Sequence, residues 1–177
     1  MKIRSITCFC NPNNKDFSQT LDTFSELRDF CRLEFEKTGW EVQTTRLATI
    51  PFGMYTEMKT AVKKIATLEK TAAQHDFTYL AIGPARVSYL EEYALIPEIL
   101  KATQNVFCGG IMTHHKRGIC SAAVKACARA ITDCATITPD GFTNLHFCAM
   151  SHVRPFTPFF PASYSYNCDP AFALAMQ

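Results

Sequence analysis

The chain has 177 residues, of which 47% are hydrophobic and 19% are charged, and its formal net charge is +2. This composition is typical of one globular domain. The lysines and arginines are scattered, with no run longer than two residues, which argues against nucleic-acid binding. No apolar stretch approaches the roughly 18 residues of a membrane span, and residues 1–4 lead into a strand, so we expect a cytoplasmic protein without membrane contact.

The first predicted elements are a strand over residues 3–10, stopped by the turn cluster at 11–14, and a helix from Asp16 to Thr38. Asp16 with Gln19 forms a capping box, and Gly39 ends the helix. Residues 40–49 predict a second strand, and Thr56 can cap a second helix that ends near residue 74.

A third strand is predicted over residues 77–82, broken at Gly83–Pro84. Ser88 with Glu91 opens a third helix, which Pro97 kinks or restarts. Residues 106–112 form a short strand whose Gly109–Gly110 pair predicts a bulge or a close backbone approach, and a fourth helix follows through Cys134.

The fifth predicted strand spans residues 142–152 and has two different faces. Leu145, Phe147 and Ala149 alternate with a polar row, which indicates a lined cavity. That row comprises Asn144, His146, Cys148, Met150 and His152.

The predicted fold class is therefore α/β, with five parallel strands alternating with four helices in the order βαβαβαβαβ over residues 1–153. Residues 154–177 form a tail, rich in proline and phenylalanine, that ends in a short helix start after Pro170. If sequential strands are neighbours, all four helices cover one face, and the other face must be covered by a lumen or by a partner.

Several stretches together resemble one family, the domain-of-unknown-function family 711. They are KIRSITCFCNP, EVQTTRLATIPF, YLAIGPA, YALIPEIL, NVFCGGIM and PDGFTNLHFCAMSHV, followed by PFFPASY. The resemblance covers nearly the whole chain but only the N-terminal half of the family's length.

The resemblance implies a fold similar to that of glycyl-radical enzymes such as pyruvate formate-lyase, which are ten-stranded α/β barrels of two antiparallel halves. This chain would supply one half, and it has no glycine-radical motif near its C-terminus, so radical chemistry is not carried over. Either the chain is a truncated form, or two copies join as a homodimer that closes a barrel.

Ligands of parallel α/β proteins collect at the C-terminal ends of the strands. The predicted rim there suits a small anionic ligand, and the residues that we expect to bind it are Asn11, Arg86, His114, His115 and His152. His114 and His115 are adjacent and would point to opposite sides of a strand, so we predict no metal site.

A lumen beneath this rim would be lined by Cys8, Cys10, Arg46, Asn144, His146 and Cys148. Cys8, Cys10 and His146 are the catalytic candidates, because a nearby imidazole or guanidinium lowers a thiol pKa. The competing interpretation is that the cysteines are small buried core residues. The nine cysteines include no CxxC pair, which fits reduced thiols and argues against structural zinc.

Two functional hypotheses follow. The chain is an enzyme or a small-molecule-binding protein with its site in the lumen, or it is a non-catalytic assembly module whose polar sheet face is a subunit interface. No phosphate-binding loop or catalytic triad is recognisable, so the sequence leaves the cofactor, the substrate and the reaction open.

Overall fold

A computed structural model describes residues 2–166 and 169–177 of the chain. The strands are β1 (Lys2–Cys10), β2 (Glu41–Val42), β3 (Thr45–Thr49), β4 (Tyr79–Ala85), β5 (Val106–Ile111), β6 (Thr113–His114), β7 (Gly118–Ile119), β8 (Phe147–Met150) and β9 (Ala171–Met176). The helices are α1 (Phe17–Lys37), α2 (Ala61–Gln74), α3 (Leu90–Ala102) and α4 (Ser121–Ala135), with short 3-10 helices at Phe52–Met54 and Phe142–His146.

The strands form a curled sheet, a half-barrel, in which β1, β3, β4, β5 and β8 are parallel neighbours in that order. The strand predicted over 40–49 is divided into β2 and β3, and both pair with β1 in one continuous register, from Ile3 opposite Val42 to Cys10 opposite Thr49. The structure thus confirms the predicted fold class, an α/β unit consistent with half of an α/β barrel.

The four helices cover one face of the sheet and share one apolar core with it. α1 contributes Leu21 and Phe24 to this core, and α3 contributes Tyr93, Ile96 and Ile99. Gly39 ends α1 as predicted: its backbone is left-handed, and Trp40 N donates to Phe35 O at 3.0 Å. We call this side of the sheet the helix face and the other side the open face.

Two predicted helix starts shift. α2 begins at Ala61 instead of near Thr56, because Phe52 and Tyr55 are buried by a 3-10 turn that precedes it. α3 begins after Tyr89 without a side-chain cap and continues through Pro97 as a single helix.

Gly83–Pro84 does not end the third predicted strand, because β4 runs through both residues to Ala85. The pairing of β4 with β5 shifts register between Ala81 and Pro84, which is a bulge. Gly83 has φ +71°, and a Cβ atom there would lie 2.7 Å from Pro51 Cα. The glycine therefore permits a close approach of two backbones rather than a strand end.

The fifth predicted strand is shorter than expected. Residues 142–146 form a 3-10 helix, because Gly141 is left-handed and Asp140 Oδ1 accepts a hydrogen bond from Phe142 N at 3.1 Å. Only Phe147–Met150 is a strand, so the predicted alternating row of polar side chains is wrong before residue 147. Phe147 packs in the helix-face core as predicted, but Leu145 is exposed to solvent.

The end of the predicted tail is not a helix. Residues 171–176 form β9, which pairs antiparallel with the outer side of β1, from Phe9 opposite Ala171 to Ile3 opposite Met176. Its alternation of alanine with Phe172, Leu174 and Met176 has the period of a strand, and the free edge of β1 supplies the partner. No helix in the described residues is long and apolar enough to cross a membrane.

We predict that Gly83→Ala destabilises the fold far more than Gly39→Ala. Both glycines have left-handed backbones, which cost an alanine about 1–2 kcal/mol. The Gly39 site is open, whereas the new methyl group at Gly83 would meet the Pro51 and Ile50 backbones, adding about 1–3 kcal/mol. Chemical denaturation of both variants measures the difference, and equal losses would contradict the bulge.

Candidate functional site

The centre of the open face is filled by the chain itself. Phe9, Ala48 and Ala81 are fully buried there beneath Phe156 and Phe160, which belong to residues 154–161, a stretch that we call the Pro-Phe segment. The rings of Phe9 and Phe156 meet edge to face, with centroids 5.3 Å apart. The described residues therefore form no single lumen lined by all the predicted residues, and a cavity lies at each end of this face.

The first cavity lies at the C-terminal ends of the strands, where parallel α/β proteins bind ligands. We call it the histidine cavity, and its volume is about 470 Å³. It brings together three of the predicted rim residues with two tyrosines and an apolar floor. Its lining is Val87, Ile111, Thr113, His114, His115, Met150, His152, Val153, Tyr164 and Tyr166.

His114 and His115 reach this cavity on the hairpin of β6 and β7. Their rings stack with centroids 4.6 Å apart, and Lys116 N donates to His114 Nδ1 at 3.1 Å. The expectation that the two side chains point in opposite directions is wrong, because His115 follows the last residue of β6 and the strand pleat does not orient it.

The far wall of the histidine cavity is formed by the chain that leaves β8. His152 has a left-handed backbone, and its Nδ1 lies 2.9 Å from Ser151 Oγ. Tyr164 donates to Val153 O at 2.9 Å, and Ser165 N donates to Thr49 O at 2.9 Å. These bonds fix the segment against the strand ends and so give the cavity a defined wall.

The electrostatic environment of the histidine cavity is positive. Partial desolvation lowers the pKa of His114, and the nearby His115, Arg117 and Lys116 lower it further. None of the described lining residues is acidic. Among the described residues, no three His, Cys, Asp or Glu side chains are grouped to hold a metal ion.

The second cavity lies at the N-terminal ends of the strands and has a volume of about 440 Å³. We call it the arginine cavity. It contains two arginines and four aromatic rings, and its lining is Arg4, Gln43, Thr44, Arg46, Tyr79, Phe107, Phe159 and Phe160. Arg46 is the only predicted ligand residue in this lining.

Three further predicted residues lie along or just before β8. The His146 ring stacks on Phe107 at 4.3 Å, and its Nδ1 lies 2.9 Å from Val106 O. Asn144 Oδ1 is buried and has no hydrogen-bond partner among the described residues. Cys148 pairs with Gly109 in the sheet, and burial raises the pKa of its thiol to about 12. None of the three is part of the histidine cavity.

Cys8 and Cys10 face the helices, so their predicted position in a lumen is wrong. Both side chains are buried in the helix-face core with Leu21 and Leu47. The alternation of β1 turns Thr7 and Phe9, not the cysteines, toward the open face. Burial raises the pKa of Cys8 to about 12 and that of Cys10 still further, which opposes thiolate formation.

Arg86 is engaged by a buried carboxylate that the sequence analysis did not single out. Glu92 accepts from Arg86 N at 2.8 Å and from Arg86 Nε at 2.9 Å, and Gly53 O accepts from Arg86 Nη2 at 3.1 Å. The guanidinium also lies 3.8 Å from the Tyr89 ring centre. Arg86 thus belongs to a structural ion pair beside the rim, and it lines neither cavity.

Asn11 also has a structural contact. Its Oδ1 accepts from Asn13 N at 2.9 Å, which closes the turn after β1. The turn itself was recognisable from the sequence Asn-Pro-Asn-Asn, but its position outside both cavities was not.

The chain was compared with families and with individual proteins. A family model described as "Uncharacterised ACR (DUF711)" matches residues 1–177. No curated protein matches the chain.

We predict that Glu92→Gln lowers the free energy of unfolding by about 3 kcal/mol, since removing one partner of a buried ion pair leaves the other charge poorly compensated. The Glu92 side chain is only 2% exposed. Asp133→Asn is the control, because its pair with Arg129 lies on the surface and contributes about 0–1 kcal/mol. Urea denaturation of both variants compares them, and a similar loss in each would contradict the structural role.

Proposed function

The chain belongs to the DUF711 family, and we propose that it binds a small organic anion in the histidine cavity. The observation that carries the proposal is the convergence of His114, His115 and His152 at the C-terminal ends of the strands, in a cavity whose described lining has no acidic side chain.

The chemistry of the lining supports an anion with an apolar body. Imidazole and hydroxyl groups donate hydrogen bonds to carboxylate oxygens, while Ile111 and Met150 offer an apolar floor. Lys116 and Arg117 add positive charge nearby. The proposal stops at binding, because the described lining contains no carboxylate or thiol that would act as a second catalytic group.

A cytoplasmic location is part of this proposal. The eight cysteines within the described residues are free, which is typical of a reducing compartment. Cys168 lies outside the described residues.

We predict that malonate binds more tightly at about pH 5.5 than at about pH 7.5. Partial desolvation and then the neighbouring positive charges lower the pKa of His114, so its imidazolium forms only as the pH falls, and a bound anion favours that form. Isothermal titration calorimetry at both pH values measures the effect. The affinity for a metal ion would instead rise with pH, because a metal binds the neutral imidazole.

Variants test whether this binding occurs in the histidine cavity. His114→Ala and His152→Ala should each weaken malonate binding at the lower pH by roughly tenfold, the effect of losing one charge-assisted hydrogen bond. His75→Ala is the matched control, since His75 lies beside Ser25 and Asp22, away from both cavities. Binding that survives both cavity variants, or that is lost equally in the control, contradicts the proposal.

A second candidate function is assembly with another copy of the chain. Within the described residues β8 pairs only with β5, so its other edge is unpaired and the half-barrel is open on that side. Two apolar side chains beside this edge are exposed, Phe142 at 56% and Leu145 at 61%. A second half-barrel pairing there would bury both residues and complete the strand hydrogen bonds.

We predict that light scattering gives the mass of a dimer, and that Phe142→Asp with Leu145→Lys converts it to a monomer, because the charges would lie at the interface. Ile131→Lys, an exposed residue of α4 on the helix face, is the control and should leave the dimer intact. A wild-type monomer at all concentrations would exclude this assembly.

A further inference from the structure

The arginine cavity lies at the end of the open face opposite the histidine cavity, so an inference about it stands apart from the proposed function. Arg46 follows the first residue of β3, and Tyr79 is the first residue of β4. The Pro-Phe segment forms the outer wall through Phe159 and Phe160. Strand ends and this segment thus form a cleft with a defined shape.

Arg46 is held in one position inside this cleft. It is only 8% exposed, and its Nε donates to Thr44 Oγ1 at 3.0 Å. Its Nη1 donates to Pro158 O at 3.5 Å, and its guanidinium lies over the ring of Phe160 at 4.9 Å. These contacts orient the guanidinium as a rigid fork of donors, which is the geometry that carboxylates bind.

The charge of Arg46 has no carboxylate partner among the residues that the structure describes. No ion pair within residues 2–166 and 169–177 involves Arg46 or Arg4. The two other arginines withdrawn from solvent each have a carboxylate partner: Arg28 has Asp29 at 2.8 Å, and Arg86 has Glu92. Because a desolvated cation without a counterion is costly, Arg46 differs from both.

The surroundings of Arg46 make its buried positive charge more costly. Burial and the positive charge of Arg4 lower the pKa of Arg46, although an arginine remains protonated at neutral pH. Arg4 itself makes one weak side-chain bond, to Gln177 Oε1 at 3.4 Å. A bound anion would interact favourably with both guanidinium groups and would offset the cost of burying Arg46.

The rest of the cleft is aromatic. Tyr79 and Phe107 meet edge to face at 5.2 Å, Phe107 meets Phe160 at 5.4 Å, and the Phe159 ring is 60% exposed. Phe107 is also stacked against His146, so the exposed ring of Phe159 is the surface on which a planar aromatic body would stack, and an inorganic anion would leave that ring in solvent. We propose that the arginine cavity binds a small aromatic carboxylate, with its carboxylate on Arg46 and its ring against Phe159.

The test is calorimetric titration of the whole protein with benzoate. Benzamide serves as the neutral isostere and inorganic phosphate as the anion without a ring. Wild-type protein should bind benzoate and bind benzamide much less tightly. Arg46→Gln should weaken benzoate binding roughly 10- to 100-fold, the effect of losing charge-assisted hydrogen bonds. Arg129→Gln, an exposed arginine of α4, should have no effect.

A second variant keeps the test decisive if Arg46→Gln does not fold. Phe159→Ser removes an exposed ring, so the fold should tolerate it, and benzoate binding should weaken while any phosphate binding does not change. Malonate has no ring, so Phe159→Ser should leave malonate binding to the histidine cavity unchanged, which separates the two sites.

Three results would overturn the proposal. They are benzoate binding that is equal in wild type and Arg46→Gln, benzamide binding as tight as benzoate binding, and absence of benzoate binding up to about 10 mM. Phosphate binding without benzoate binding would identify an anion site that does not select an aromatic ring, which also contradicts the assignment.

Discussion

The packing of Phe156 and Phe160 against Phe9 is the contact on which the arrangement of this protein depends. A curled sheet has two faces, and the four helices cover only one of them. The Pro-Phe segment buries the centre of the other face, so the half-barrel has an apolar core on both sides. The same contact divides the open face and separates the cavities at the two ends of the strands.

The two cavities share an electrostatic character although different elements form them. The histidine cavity is positive because the hairpin that carries two of its imidazoles also carries the charges of Lys116 and Arg117. The arginine cavity is positive because Arg46 is buried without a carboxylate. Carboxylates that would neutralise such charges are used elsewhere, as Glu92 is with Arg86. The two anion-binding proposals rest on this shared character, and they differ in the groups that surround it, which are hydrogen-bonding side chains in one cavity and aromatic rings in the other.

Membership in the DUF711 family and the half-barrel architecture agree with the sequence motifs, which fall on β1, β3, β4, α3, β5 and β8. β9 adds a strand of opposite direction beside β1, and β8 leaves the other edge unpaired within the described residues. The sheet is thus curled but not closed. Whether a site serves catalysis depends on the residues in each cavity, and the architecture alone does not determine this.

Local sequence patterns determined most of the backbone, including the five parallel strands, the four helices and the end of α1 at Gly39, because periodicity and turn residues act over a few neighbours. His114, His115 and His152 were expected at the C-terminal ends of the strands and line one cavity there, whereas Asn11 and Arg86, expected beside them, lie outside it. Tertiary structure alone decided the remaining features. Cys8 faces helices that come later in the chain, and β9 pairs with β1 at the other end of the sequence, so no local pattern specifies either arrangement. Glu92 and Arg86 are only six residues apart, but their pairing depends on the turn between β4 and α3.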